Sequence, residues 1–300
     1  MSLRPSSGLV HPVAKSVPRA AAVRTRRAGT ARQGRLTGEG RGAPRLAVTT
    51  ALAAALLAVA PPARAISAGE AFFEPFDRLD PARWYVSDGW TNGAHQNCLW
   101  SRQAVRIADG VLRLALIPGG GGGPDAAATG HLCGEVQTER RYGHGTYEAR
   151  IRTSDVSGLN AAFFTYIGPV HGKPHDEIDV EILTRDPGTV EVNTFIGGQM
   201  LNGAKVPLDP PADAGFRNYA FEWSPAGIRW FVDGQEVHAA TGPLPSSAMK
   251  IYLSHWSTGT LTDWMGRFAV PEGPVAMEVD WVAFTPLGAG CQFPGSVLCR

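Results

Sequence analysis

The stretch "HDEIDVEIL", His175 to Leu183, sets Glu177, Asp179 and Glu181 at alternate positions, with Ile178, Val180 and Ile182 between and after them. Successive side chains of a β-strand point to opposite faces, so the three acids share one face and the three β-branched residues share the other. A helix would scatter both sets around its circumference, and Val and Ile favour the strand. One face therefore reads as core. The other is a row of like charges about 7 Å apart, in which each carboxylate raises the proton affinity of its neighbours. Two readings compete: a solvated strand face, or an acid set assembled for catalysis.

Short strand-like runs separated by turn signals continue on both sides of this stretch. They include "GVLRLALI" (Gly110–Ile117), "GTYEARIRT" (Gly145–Thr153), "AAFFTYIG" (Ala161–Gly168), "TVEVNTFI" (Thr189–Ile196) and "VAMEVDWVAF" (Val275–Phe284). "YAFEWSPAGIRWFVDGQEVHAA" reads as a meander with turns at Pro225–Gly227 and Asp233–Gly234. The glycine run Gly119–Gly130 reads as a flexible loop. No long amphipathic helix is expected after residue 65. The pattern predicts an all-β, two-sheet antiparallel sandwich over 66–300.

Residues 1–65 differ in kind. They hold 11 of the 28 Lys and Arg and one of the 27 Asp and Glu, so residues 66–300 carry 17 basic against 26 acidic groups, a formal charge of −9. An acidic body argues against nucleic acid and anionic membrane surfaces as partners. Arg41 and Arg45 precede the apolar run "LAVTTALAAALLAVA", and "ARA" at Ala63–Ala65 supplies a small-x-small cleavage pattern. This reads as an N-terminal extension and secretory signal peptide, with the mature chain starting near Ile66. A membrane anchor is disfavoured by the short run and by Pro61 and Pro62 after it. The paired arginines of "TRRAGTA" lie far from the apolar run, which argues against a twin-arginine signal. The expected product is a secreted monomer, extracellular or periplasmic, that meets no membrane once the leader is removed.

All four cysteines, Cys98, Cys133, Cys291 and Cys299, lie in the exported part, where disulfides persist. Four cysteines allow three pairings; the preferred one is Cys98–Cys133 with Cys291–Cys299, the second closing "CQFPGSVLC". Of eight Trp, most are expected in the core and two or three on the surface, where aromatic faces stack on sugar rings. "DGWTNGAHQNCLW" mixes Trp90 with Asn92 and Asn97, an aromatic–amide pairing suited to sugar hydroxyls.

Cleavage of a glycosidic bond needs two carboxyl groups, and about 5–5.5 Å between them gives retention through a covalent intermediate. Residues i and i+4 of a strand have Cα atoms about 13 Å apart, but long Glu side chains can converge on one bond from both ends. Three acids in a row, with glutamates at the ends, suit that task.

"DEIDVE" resembles the Glu-x-Asp-x-Glu signature of glycoside hydrolase family 16. The surrounding "YGHGTYEARIRTSDVSGLNAAFFTYIGPVHGKPHDEIDVEIL" is similar to bacterial lichenases, and more so to rhizobial succinoglycan-depolymerising endo-β-1,3-1,4-glycanases. "VSDGWTNGAHQNCLWS", "CGEVQTERRYG", "LTDWMGRF" and "DWVAFTPLGAGCQFPGSVLC" extend the resemblance over Phe72–Cys299. It implies a concanavalin-like jelly roll with a concave substrate cleft. It implies Glu177 as nucleophile, Glu181 as general acid/base and Asp179 assisting. Asn92, Glu135, Phe164, Tyr166, Asn193 and Trp256 match cleft-lining positions, and Cys98 and Cys133 match a family disulfide. Gln137, His175, Ser254 and Phe195 stand where lichenases carry Arg, Trp, Asn and Tyr; Gln137 and His175 are counted with the substrate-binding set.

The resemblance implies no cofactor for catalysis and a structural calcium ion held by the carbonyls of Pro75 and Gly110 and the carboxylate of Asp280. The expected activity is that of a retaining endo-β-glycanase on a β-1,3/β-1,4-linked polysaccharide. Its rivals are a transglycosylase, since "HDEID" also occurs in plant xyloglucan transglycosylases, a non-catalytic carbohydrate-binding protein, which would need no such acid row, and a structural or adhesive secreted protein, which would need no cleft aromatic set.

Overall fold

The computed structural model describes residues 68–119 and 130–299. The leader, its cleavage pattern and most of the glycine run lie outside the described residues. Among those described, sixteen strands account for nearly all regular structure. In chain order they are β1 (Phe72–Glu74), β2 (Trp84–Val86), β3 (Leu99–Trp100), β4 (Val105–Ala108), β5 (Val111–Pro118), β6 (His131–Thr138), β7 (Gly145–Arg152) and β8 (Leu159–Ile167). They continue as β9 (Asp176–Leu183), β10 (Thr189–Ile196), β11 (Gln199–Pro207), β12 (Arg217–Ser224), β13 (Gly227–Val232), β14 (Gln235–Ala240), β15 (Lys250–Ser257) and β16 (Val275–Pro286). One four-residue helix, α1 (Thr262–Met265), precedes β16.

Two sheets form a jelly-roll sandwich. The first runs β11-β10-β9-β8-β15-β6-β2 and the second β5-β16-β7-β12-β13-β14, with β4 beside β5 and β1 beside β16. Pairing is antiparallel throughout, apart from β3 with β6. The β6 strand joins the sheets: its first residues pair with β5 (Leu116 opposite Cys133), and its later ones with β15 (Ser254 opposite Glu135). Gly134 sits at this crossing, where a Cβ would lie 2.7 Å from the Ala104 carbonyl and 3.0 Å from Leu114 Cα. Only glycine allows that approach.

The expected meander is present, with Ser224 opposite Gly227 in one turn and Val232 opposite Gln235 in the next. Asp233 and Gly234 both take positive φ, 45° and 71°, the conformation a tight two-residue hairpin turn demands.

Between the sheets, Ile178, Val180 and Ile182 join Phe163, Phe221, Trp230 and Phe284 in the main core. Tyr147 stacks on Phe221 at 4.8 Å. A second cluster gathers Cys98, Trp100, Leu116, Cys133, Leu159, Leu183, Trp256 and Met265. Both expected disulfides form, Cys98–Cys133 within this cluster and Cys291–Cys299 in the tail. The tail docks on the second sheet, where buried Glu148 accepts from Ser296 Oγ (2.6 Å) and the Val297 amide (2.9 Å), and Phe293 packs on Phe73 and Trp281.

Candidate active site

Cross-strand partners share a face, so the register of the first sheet lays its outer side chains in three rows. The Glu177 row runs Phe195, Glu177, Tyr166, Lys250. The Asp179 row runs Asn193, Asp179, Phe164, Tyr252, Gln137, Tyr85. The Glu181 row runs Lys205, Glu191, Glu181, Ala162, Ser254, Glu135. The acids are not a solvated face: Glu177, Asp179 and Glu181 are 7%, 2% and 4% exposed. Charge buried this deeply needs compensating partners, and the partners define the site.

Glu181 is gripped from both sides. Asn160 Nδ2 donates to its Oε1 at 2.9 Å and Asn193 Nδ2 to its Oε2 at 3.0 Å. Glu177 meets His175, whose Nε2 lies 3.2 Å from Glu177 Oε1 and whose ring stacks on Phe195 at 5.1 Å. The Trp230 indole reaches across the core from β13 and donates to the Asp179 carbonyl at 3.2 Å, tying the middle of the acid strand to the opposite sheet.

An aromatic floor adjoins the acids. Phe164 stacks on Tyr252 (4.9 Å), and Tyr166 stands edge-on to both His175 and Tyr252. Burial and the Glu177 charge push the Tyr166 phenol up to about 12, and burial holds Tyr252 well above its ordinary value. Gly168 admits the Tyr166 ring, since a Cβ there would lie 2.0 Å from the phenol oxygen. Gln137 Oε1 accepts from both Lys250 Nζ and Tyr252 Oη at 3.1 Å, leaving its amide hydrogens for other acceptors. Burial lowers the Lys250 ammonium. Glu135, fully buried and bonded to Ser87 Oγ at 2.6 Å, is pushed up to about 8 by desolvation and is thus a neutral acid at pH 7.

The loop carrying Asn92 closes one end. It is stitched to the end of β15 by Asn97 N to the Ser257 carbonyl (3.1 Å) and Thr258 Oγ1 to the His95 carbonyl (2.6 Å). His95 meets Trp256 edge-on at 5.7 Å, and the Trp264 ring lies 6.4 Å from that of Trp256. The Trp264 indole donates to Glu191 Oε2 (3.1 Å), which Lys205 also holds at 2.6 Å through Oε1. Asn92 itself is fixed through its backbone amide, which donates to Gln96 Oε1 at 3.0 Å.

Buried carboxyl groups on one strand, amide donors beside them and aromatic rings along the rows are the kinds of group that can act on a glycosidic bond. The family described as "Glycosyl hydrolases family 16" matches residues 92–283. The chain belongs to glycosyl hydrolase family 16. Family 16 relatives include the endo-1,3-1,4-beta-glycanase ExoK of Rhizobium meliloti, 46% identical over 77% of this chain and 84% of that one. The beta-glucanase of Bacillus subtilis is 35% identical over 80% and 96%. A prokaryotic beta-1,3-1,4-glucanase (lichenase) from a mouse hindgut metagenome superposes with a TM-score of 0.68 at 34% identity, over 72% of this chain and 99% of that one. As a family 16 member the protein is a glycoside hydrolase.

Of the residues the sequence nominated, the structure gathers Glu135, Gln137, Phe164, Tyr166, His175, Asn193 and Trp256 on the acid face, and puts Asn92 on the bordering loop. It adds Asn160, Tyr252 and Lys250, whose signal was parity: Asn160 shares a strand face with Ala162, Phe164 and Tyr166, and Lys250 and Tyr252 with Ser254 and Trp256. Continuing the β1 and β5 registers along β16 sets Pro75 and Gly110 opposite Trp281, next in sequence to Asp280, which lies within the β16 bulge. Two carbonyls and a carboxylate are an all-oxygen set of the kind a hard cation takes. Arg150 Nε lies 2.9 Å from Asp280 Oδ2, so an ion there would share that carboxylate with a guanidinium.

Proposed function

We propose that this chain is a secreted, retaining endo-β-glycanase that cuts β-1,3/β-1,4-linked polysaccharide, with succinoglycan-type exopolysaccharide and mixed-linkage glucan as its substrate classes. The observation that carries the reading is the buried row Glu177–Asp179–Glu181, with a separately held glutamate at each end. The Glu177 carboxylate attacks the anomeric carbon while Glu181 gives its proton to the departing oxygen, forming a glycosyl-enzyme. Glu181, now ionised, takes a proton from water, whose oxygen attacks the same carbon and releases Glu177. Asp179, between them on the same face, assists by holding a proton or a hydrogen bond. Carboxyl groups and water complete this chemistry without a cofactor. The Phe164–Tyr252 stack and Trp256 offer apolar faces to sugar rings, and the Gln137 amide and Asn92 offer hydrogen bonds to their hydroxyls.

The replacement of Arg by Gln at 137 and of Trp by His at 175 supports a preference other than that of a strict lichenase. Digestion of lichenan, barley-type glucan, laminarin and succinoglycan tests this directly. Laminarin cleaved as fast as every mixed-linkage chain would overturn the specificity. Secretion is supported by the leader, and N-terminal sequencing of protein from the culture medium should place the new terminus near Ile66. A calcium ion at Pro75, Gly110 and Asp280 would tie β1, the β4–β5 turn and β16 together. Calcium should then raise the melting temperature and a chelator lower it, with Asp280→Asn abolishing the difference.

A further inference from the structure

The reaction chemistry accounts for Glu181 but not for the amide at Asn160. This side chain is fully buried on β8, opposite Trp256 on one side and Leu183 on the other. An apolar residue would suit such a place better, because burying an amide is costly unless its groups are bonded. Its Nδ2 donates to Glu181 Oε1 at 2.9 Å, and its Oδ1 finds no hydrogen-bond partner among the described residues. The amide is therefore oriented toward the carboxylate.

We propose that Asn160 is a positioning residue that fixes the Glu181 carboxylate for its two proton transfers. The inference rests on Glu181 being the acid/base. An N–H donor favours the ionised form of a carboxylate, the form Glu181 needs when it activates water. Asn193, donating to the other oxygen, completes a two-sided clamp that holds the side chain in one rotamer between the two half-reactions. Asp179 and Glu177 on its own strand and Glu191 directly opposite on β10 are acids and oppose ionisation of Glu181. Lys205 pairs with Glu191 at 2.6 Å. The β8 strand contributes only Ala162 and Asn160 to this end of the face, and Glu135 lies further along the row beyond Ser254. The two amides act against these neighbouring acids.

The test is the pH dependence of kcat/KM for Asn160→Val and for the isosteric Asn160→Asp, which keeps the packing if valine disturbs it. On mixed-linkage glucan, whose departure needs a proton, the alkaline limb should move up by about one pH unit in Asn160→Val. It should move at least as far in Asn160→Asp, where a second carboxyl faces Glu181. On a 2,4-dinitrophenyl β-oligoglucoside, whose leaving group needs no proton, kcat/KM should change less than about twofold. A limb superimposable on that of the parent in the folded variants, or equal losses on both substrates, overturns the inference. Glu181→Gln measured alongside separates the two ideas. If it loses glucan hydrolysis but keeps the dinitrophenyl reaction, the acid/base reading stands, and a flat Asn160 result counts against Asn160 alone. If it keeps glucan hydrolysis, the acid/base reading falls and the role of Asn160 falls with it.

Discussion

The His175 imidazole and the Glu177 carboxylate face each other at 3.2 Å, with the imidazole stacked flat on Phe195. A ring held by stacking on one side and by Tyr166 edge-on can present its nitrogen to Glu177 without free rotation. His175→Phe should keep the stack and lose the nitrogen. We expect kcat/KM on glucan to fall about tenfold, the scale of one polar contact, with an unchanged melting temperature. Activity equal to that of the parent would show that the ring serves only to pack.

Two fully buried groups give stability a pH dependence of opposite sign. Glu135 is raised to about 8 from 4.5, so the folded state holds its proton longer, and stability falls as pH rises from 4.5 to 8. His255, buried against the Leu114 carbonyl, is lowered to about 4 from 6.5, so stability falls as pH drops from 6.5 to 4. Between about 4.5 and 6.5 the two slopes nearly cancel. Above 6.5 only Glu135 of the two acts, and its contribution should fall by on the order of 2 kcal/mol up to pH 8. Urea midpoints across this range would show the plateau and the drop. Glu135→Gln should remove the drop; a drop that persists in the variant would assign it to another group.

Much of this architecture was legible in strict alternation. The period-2 reading of "HDEIDVEIL" put Ile178, Val180 and Ile182 in the core and three acids on the other face, and both assignments hold. Alternation could not say that the acid face would be buried, because that depends on neighbours from β8, β10 and β15. Nor could it say that Asn160, 21 residues away, would reach Glu181, since register between strands is a long-range property. The crossing of β6 between sheets at Gly134 escaped for the same reason: its cause is the backbone of Ala104 and Leu114. The pairing of Asp280 with Arg150 was equally invisible, because β7 and β16 are distant in sequence.

The Cys98–Cys133 bridge spans 35 residues and anchors the cluster under Trp256. Closing a loop of that length removes about 4 kcal/mol of unfolded-chain entropy in the simplest account, and measured bridges give about 2–4. Cys98→Ala with Cys133→Ala should therefore lower the unfolding free energy by about 2–4 kcal/mol, read from denaturant midpoints. The Cys291–Cys299 loop, which spans 8 residues, should matter less. Free thiols at 98 and 133 in a non-reducing peptide map would refute the premise.

The roles of the two glutamates can be separated by the stereochemistry of rescue. With Glu177→Ala no covalent intermediate can form, and hydrolysis of every polysaccharide should fall by several orders of magnitude. The cavity left by the missing carboxylate lies on the nucleophile's side of the sugar. Azide added with an activated aryl glycoside should enter from there and give the α-glycosyl azide. In Glu181→Ala the nucleophile is intact, so an activated leaving group still departs and the glycosyl-enzyme accumulates for want of a base. Azide needs no base, and it should attack that intermediate from the opposite side, accelerating turnover and giving the β-glycosyl azide. Product anomers read by NMR decide the matter. Opposite anomers from the two variants would exchange the roles of Glu177 and Glu181, and near-normal polysaccharide hydrolysis by both would remove the row from catalysis altogether.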